Sequence, residues 1–183
     1  MVTENKDQKI AVVAGSVRDI TQKQISCLVK KRNLELLKLS PEKLLTLSSP
    51  SEIKKKMEKL KQKVEEILSQ SEIIVISLEK EEHSKSRMKM LADSKKLLNY
   101  IKKIFRFLVD NYSLQGMILT GGDTAVSICE EIEASGIEII EEISSGIPAG
   151  NLLGGQLAGI KIITKAGGFG EEKDLIKAVQ YLE

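Results

Sequence analysis

Three stretches combine glycine with hydroxyl, acidic or cationic side chains directly after an apolar run: 14-AGSVRDIT-21, 120-TGGDTA-125 and 164-TKAGGFG-170. Those residue types suit phosphate chemistry. Glycine permits unusual backbone angles and close approach of a ligand to the main chain, and the unpaired N–H groups at a following helix start hold phosphate oxygens. The first stretch offers Gly15 and Ser16, the second Gly121, Gly122, Asp123 and Thr124, and the third Lys165, Ala166, Gly167, Gly168 and Gly170. Lys165 reads as a point positive charge for a β- or γ-phosphate. Ser16, Thr120 and Thr124 read as short, adaptable hydrogen-bonding groups for phosphate or ribose. Asp123 cannot face phosphate favourably unless a cation intervenes, and three roles stay open for it: coordinating Mg2+ directly or through water, capping the helix, or orienting a neighbouring donor. A further turn, 146-GIPAG-150, is open between a wall for the adenine side, shaped by Gly146 and Pro148, and a plain loop. Each motif also has an ordinary alternative: a tight turn before a capped helix, a surface lysine, a solvent loop.

For these turns to meet, the apolar runs before them must be parallel strands that end on one edge of a sheet. The runs 10-IAVVAG-15, 34-LELLKL-39, 73-IIVISL-78, 116-GMILTGG-122, 137-IEIIEEI-143 and 160-IKIIT-164 predict strands. Between them, the spacing predicts helices over 19–31, from Ser51 through Leu68, over about 90–110 with Leu91, Leu98, Ile101, Ile104, Phe105 and Leu108 as its apolar stripe, from Asp123 to near Gly136, and over 171–182. Pro41 fits either a loop or a first helical turn. The glycine and proline content of 146–159 predicts loops around a short element. Residues 79–89 are the least readable, and His83 among them is open between a solvated loop residue and a ligand contact on a lid. The alternation of strand and helix predicts an α/β fold: a mostly parallel sheet with helices on both faces, three layers in all. Residues 1–8 read as a flexible N-terminal segment and 9–183 as one domain.

Composition narrows the function. With 183 residues, a net charge of +2, 3% aromatics and lysines scattered among glutamates, the chain is not expected to bind nucleic acid. A lone histidine rules out a multi-histidine metal centre or a histidine relay. Cys27 and Cys129 lack a redox or metal-binding context and read as reduced thiols, which points to the cytoplasm. No apolar run is long enough for a membrane span, and no signal core opens the chain. Neither G-x-x-x-x-G-K-[ST] nor a G-x-G-x-x-G after the first strand occurs, so the site is of a non-Walker type; G-x-S-x-G is also missing.

Taken in order, Gly15-Ser16 with Thr21 and Gln24 beyond it, Gly121-Gly122-Asp123-Thr124, the 146-GIPAG-150 turn and 164-TKAGGFG-170 resemble the nucleotide-binding C-terminal domain of the four-carbon acid sugar kinases, from about residue 9 to the end. Members of that family transfer the γ-phosphoryl group of ATP to the terminal hydroxyl of acids such as erythronate, threonate or their 2-oxo relatives. The resemblance implies that Ser16, Gly121, Gly122, Asp123 and Thr124 contact ATP or its Mg2+, and that the loop from Lys165 to Gly170 wraps the nucleotide. The family holds the sugar acid mainly on a separate N-terminal domain, which has no counterpart in these residues. The expectation is therefore an ATP-binding half that is inactive alone, with self-association open. The competing readings are a regulatory α/β module that binds a phosphate-bearing metabolite or a protein partner, and a complete small enzyme using the same crevice.

Overall fold

The structure is a computed structural model that describes residues 8–80 and 87–183, of which 87–91 by backbone alone. The expectations for residues 1–7, for His83 and for the side chain of Leu91 lie outside the described residues. The fold begins with β1 (Lys9–Ala14), whose six residues are all buried, and α1 (Asp19–Arg32). Then follow β2 (Leu36–Leu39), the short α2 (Pro41–Leu45), α3 (Pro50–Gln70) and β3 (Ile73–Leu78). Pro41 and Pro50 each stand in a first helical turn, after the capping residues Ser40 and Ser49. At α3 a reciprocal capping box between Ser49 and Glu52 starts the helix one residue before the predicted point. The chain continues through α4 (Arg87–Asn111), β4 (Leu114–Thr120), α5 (Gly122–Glu131), β5 (Gly136–Ser144), β6 (Ile147–Leu153), β7 (Lys161–Lys165) and α6 (Asp174–Leu182).

The seven strands form one sheet in the order β2-β3-β1-β4-β7-β6-β5. The first five of that order run parallel, while β6 and β5 close the edge as an antiparallel hairpin. Strand alternation divides the core between two faces. Ala11, Val13, Ile74, Ile76, Met117 and Leu119 pack under the helices α3, α4 and α5, while Val12, Val75, Ile118 and Ile163 pack under α1 and α6. This is the expected three-layer, mostly parallel arrangement. Among the described residues, no helix is long and apolar enough to cross a membrane.

The hairpin corrects one expectation, because residues 147–150 of the stretch read as a turn lie in a strand, and the short element within 146–159 is that strand. Its glycine and proline serve packing. A Cβ on Gly150 would lie 2.1 Å from the Glu138 carbonyl oxygen of β5, so only glycine admits that strand. Pro148 sits beside a bulge and ahead of the residues that pair with β7, where a missing N–H does least harm.

Order also creates the site. From β1 the chain travels outward to β2, returns through β3 and crosses to β4, so connections diverge to opposite sides between β1 and β4. A crevice opens at the carboxyl ends of strands at such a switch point.

Candidate functional site

Register brings the strand ends level: Ala14 pairs with Thr120, and Thr120 with Lys165. The turns beyond them are tied together by main-chain bonds. The Gly15 N–H donates to the Thr120 carbonyl at 3.2 Å, and the Gly121 N–H to the Lys165 carbonyl at 2.9 Å. Close approach then explains the glycines. A Cβ on Gly15 would lie 2.0 Å from Thr124 Oγ1, and one on Gly167 would lie 2.2 Å from Ser16 Oγ. Gly121 has a φ of 103°, a conformation strained for any other residue, and it lies beside Ser16 and Thr124. Gly15, Ser16, Gly121, Thr124 and Gly167 are thus gathered on one rim.

Gly121 turns directly into α5, with Gly122, Asp123 and Thr124 as the first helical residues. Their N–H groups have no preceding turn to bond, and no side chain caps them. Asp123 is exposed, and a Cβ on Gly122 would meet open space. Among the described residues, no group of three or more His, Cys, Asp or Glu side chains gathers to hold a metal ion. A cation beside Asp123 would take its remaining ligands from phosphate oxygens and water, a common arrangement for Mg2+.

The turn after β7 is built differently. Lys165 is 3% exposed, and its Nζ donates to the carbonyls of Ala166 at 2.9 Å and Phe169 at 3.0 Å. Thr21 Oγ1, from α1, donates to the Gly167 carbonyl at 2.7 Å. Gln24 Nε2, one turn further along α1, donates to the carbonyls of Phe169 at 3.3 Å and Glu171 at 2.8 Å. Among the described residues no peptide bond is cis. In a trans peptide the N–H of one residue points opposite to the carbonyl before it. Drawing the carbonyls of Ala166, Gly167 and Phe169 inward therefore turns the N–H groups of Gly167, Gly168 and Gly170 outward. Those three N–H groups have no acceptor among the described residues. Gly168 stands clear of neighbours.

Lys165 thus organises the loop from beneath and does not extend from it as a free point charge. Burial pushes its ammonium below the ordinary lysine range, opposed by the charge of Asp174. Asp174, 2% exposed, has no counterpart among the predicted site residues. Its carboxylate accepts from the Glu171 N–H at 2.6 Å, Ser144 Oγ at 2.9 Å and Lys177 Nζ at 2.8 Å. Burial works against its ionisation, yet those bonds outweigh it and hold the carboxyl below the usual range. Two buried polar atoms among these residues, Thr120 Oγ1 and Gln24 Oε1, have no partner.

Gly146 forms the hairpin turn between β5 and β6, with a φ of 73° and its N–H on Glu142 Oε1 at 2.7 Å. It meets the third turn through Phe169, whose ring would lie 3.4 Å from a Cβ on Gly146. Phe169 itself is 60% exposed on the rim.

The profile of a nucleotide-binding C-terminal domain family matches residues 11–175. A D-threonate kinase from Salmonella typhimurium is 26% identical over 184 aligned positions, covering 95% of this chain and 42% of the relative. A D-threonate kinase from Bordetella bronchiseptica is 47% identical over 73 residues, 40% of this chain and 18% of that protein. Among solved structures, a DUF1537 protein from Bordetella bronchiseptica, a domain-swapped dimer with bound citrate, superposes with a TM-score of 0.74 at 26% identity, over 96% of this chain and 41% of its own. A DUF1537 structure from Haemophilus influenzae, at 21% identity and a TM-score of 0.69, covers 98% of this chain and 43% of its own and shares the fold. The chain spans about two-fifths of the length of the relatives it matches end to end.

Proposed function

The chain belongs to the nucleotide-binding C-terminal domain family, and on that premise we propose that it is the ATP-binding half of a kinase acting on a four-carbon sugar acid. The acceptor is the terminal hydroxyl of an acid such as erythronate, threonate or a 2-oxo-tetronate. The observation that carries this reading is the convergence of three glycine turns, of which those after β4 and β7 present N–H groups with no acceptor among the described residues. Main-chain donors aimed at one point suit a polyphosphate, because they stabilise negative charge without rearranging during the reaction.

The first turn of α5 receives one phosphate group at the helix N-terminus. The N–H groups of Gly167, Gly168 and Gly170 receive the next from the other side, with the Lys165 charge beneath the loop reinforcing them. Ser16 and Thr124 add hydroxyl donors between the two turns. Asp123 would supply the protein carboxylate for Mg2+, which when bound would offset phosphate charge. The Gly146 turn and Phe169 border the nucleotide on the hairpin side. Phosphoryl transfer needs chiefly alignment and charge stabilisation, and this rim provides one half of that. The groups that hold the sugar acid and orient its hydroxyl belong to a separate N-terminal domain, and the chain on its own binds ATP without turning it over.

Calorimetric titration with ATP, ADP and NAD, with and without Mg2+, tests the reading. The expected result is binding of ATP and ADP, strengthened by Mg2+ for ATP, and no binding of NAD. A folded sample that binds neither adenine nucleotide would overturn it.

A further inference from the structure

The donor run of the third turn stops at Glu171, where main-chain polarity reverses. Gly167, Gly168 and Gly170 turn their N–H groups outward, whereas the Glu171 N–H points inward to Asp174 Oδ2 at 2.6 Å. A Cβ on Gly170 would lie 2.6 Å from the same carboxylate oxygen, so the carboxylate also sets how deeply the loop can settle. The other oxygen, Oδ1, accepts from Ser144 at the end of β5 and from Lys177 on α6. One buried carboxylate therefore fastens the glycine loop, the last helix and the hairpin.

We propose that Asp174 is a positioning residue for the anion cradle. With Lys165 and Gln24 it fixes the main-chain polarity of the loop, by anchoring at Glu171 the point where the carbonyl-in, amide-out run of residues 166–170 ends, and through Ser144 it makes that polarity depend on how the β5–β6 hairpin is seated. The inference rests on the reading of the rim as a polyphosphate site and adds a control point outside it. The division of labour is physical. Lys165 and Gln24 pull carbonyls from below, and both donate to the same Phe169 oxygen. Neither holds the inward N–H at Glu171: the Lys165 ammonium has no acceptor, and Gln24 Oε1 takes no bond. Asp174 provides an acceptor with full charge, and a charge-assisted bond to a main-chain N–H is among the stronger local restraints available. Ser144 and Lys177 satisfy the rest of the carboxylate, so it does not turn away to solvent.

The test compares Asp174→Ala, Asp174→Asn and Ser144→Ala with the wild-type chain. Binding of inorganic tripolyphosphate and of adenosine is measured by calorimetry, and amide hydrogen exchange is followed at Gly167 to Glu171. Asp174→Ala is expected to weaken tripolyphosphate binding about tenfold, the loss of one charge-assisted hydrogen bond, with adenosine unaffected and exchange at Glu171 accelerated. Asp174→Asn keeps an acceptor for the Glu171 N–H and is expected to recover most of both losses. Ser144→Ala, which loosens only the link to the hairpin, is expected to weaken tripolyphosphate about threefold, a fraction of the hydrogen bond it removes, and it keeps the test decisive if the alanine variant at Asp174 fails to fold. Unchanged tripolyphosphate affinity in folded variants would overturn the proposal, as would equal losses for adenosine and tripolyphosphate. A wild-type chain that binds neither ATP nor tripolyphosphate would overturn the nucleotide reading itself, and this inference with it.

Discussion

The glycine turns after β4 and β7 are neighbours on the sheet rim, joined by the bond from the Gly121 N–H to the Lys165 carbonyl, but their donors are exposed by different means. After β4 a single residue with positive φ delivers the chain into α5, and the helix leaves its first N–H groups unpaired as a matter of geometry. After β7 no helix follows until Asp174. The open donors there exist because a lysine, a threonine and a glutamine hold the opposing carbonyls. One turn is organised by its own backbone and the other by side chains from β7, α1 and α6. The first rests on a glycine with positive φ, and the second depends on buried polar groups that are costly to disturb.

Substitutions that strike this difference should have graded effects. The largest is expected from Gly167→Ala, because the added carbon must displace Ser16, which stands between the two turns. ATP affinity should fall about a hundredfold, the scale seen when binding groups are misplaced by about an ångström. Calorimetry reads it directly, and an affinity within twofold of wild type would mean that Ser16 and the loop do not share a ligand.

Lys165→Met comes next. It removes the cation and leaves the Ala166 and Phe169 carbonyls short of a donor, a cost of about 2 kcal/mol that lowers Tm by about 4–8 °C in a chain of this size. Triphosphate binding should weaken more than adenosine binding. The helix-opening turn provides the control: exchange at Gly122 to Thr124 should stay as in the wild type while exchange at Gly167 to Gly170 changes.

The two turns should also separate with pH. The native Asp174 carboxyl titrates below its unfolded value, so its contribution to stability is fully present above about pH 4 and is lost as pH falls through the native pKa. Lys177 on α6 and Lys165 on β7 are the charges that face it. Acid should therefore loosen residues 166–171 before it loosens the start of α5, as read by amide exchange between about pH 5 and 3. The Asp174→Asn variant should lose that order. The smallest effect on the fold belongs to Asp123→Asn. The residue is exposed, so Tm should change by less than about 0.5 kcal/mol would produce, while the enhancement of ATP binding by Mg2+ disappears. An unchanged response to Mg2+ would leave Asp123 as a simple helix-start acid.

The ends of β1, β4 and β7 were legible because a glycine follows each of these apolar runs within two positions, and the alternation with helical spacing placed them on one edge. Residues 147–153 were not legible as a strand. Their glycine and proline satisfy the close approach of β5 and a bulge, which are contacts between distant segments. Lys165 was singled out in the sequence, yet its direction was missed, although a local signal existed. It follows Ile163 by two positions on β7, and strand alternation carries both to the face covered by α1 and α6. Asp174 left a weaker trace, since an acid at the start of a helix is ordinary and only the fold brings Ser144 and Glu171 to it.

The central claim is that donors from all three turns serve one ligand. An NMR titration of the isotopically labelled chain with ATP and Mg2+, following the amides of Ser16, Gly122 to Thr124 and Gly167 to Gly170, tests it most directly. All three sets should shift together along one binding curve with a single Kd. Shifts confined to one turn, or to the opposite edge of the sheet, would contradict the account.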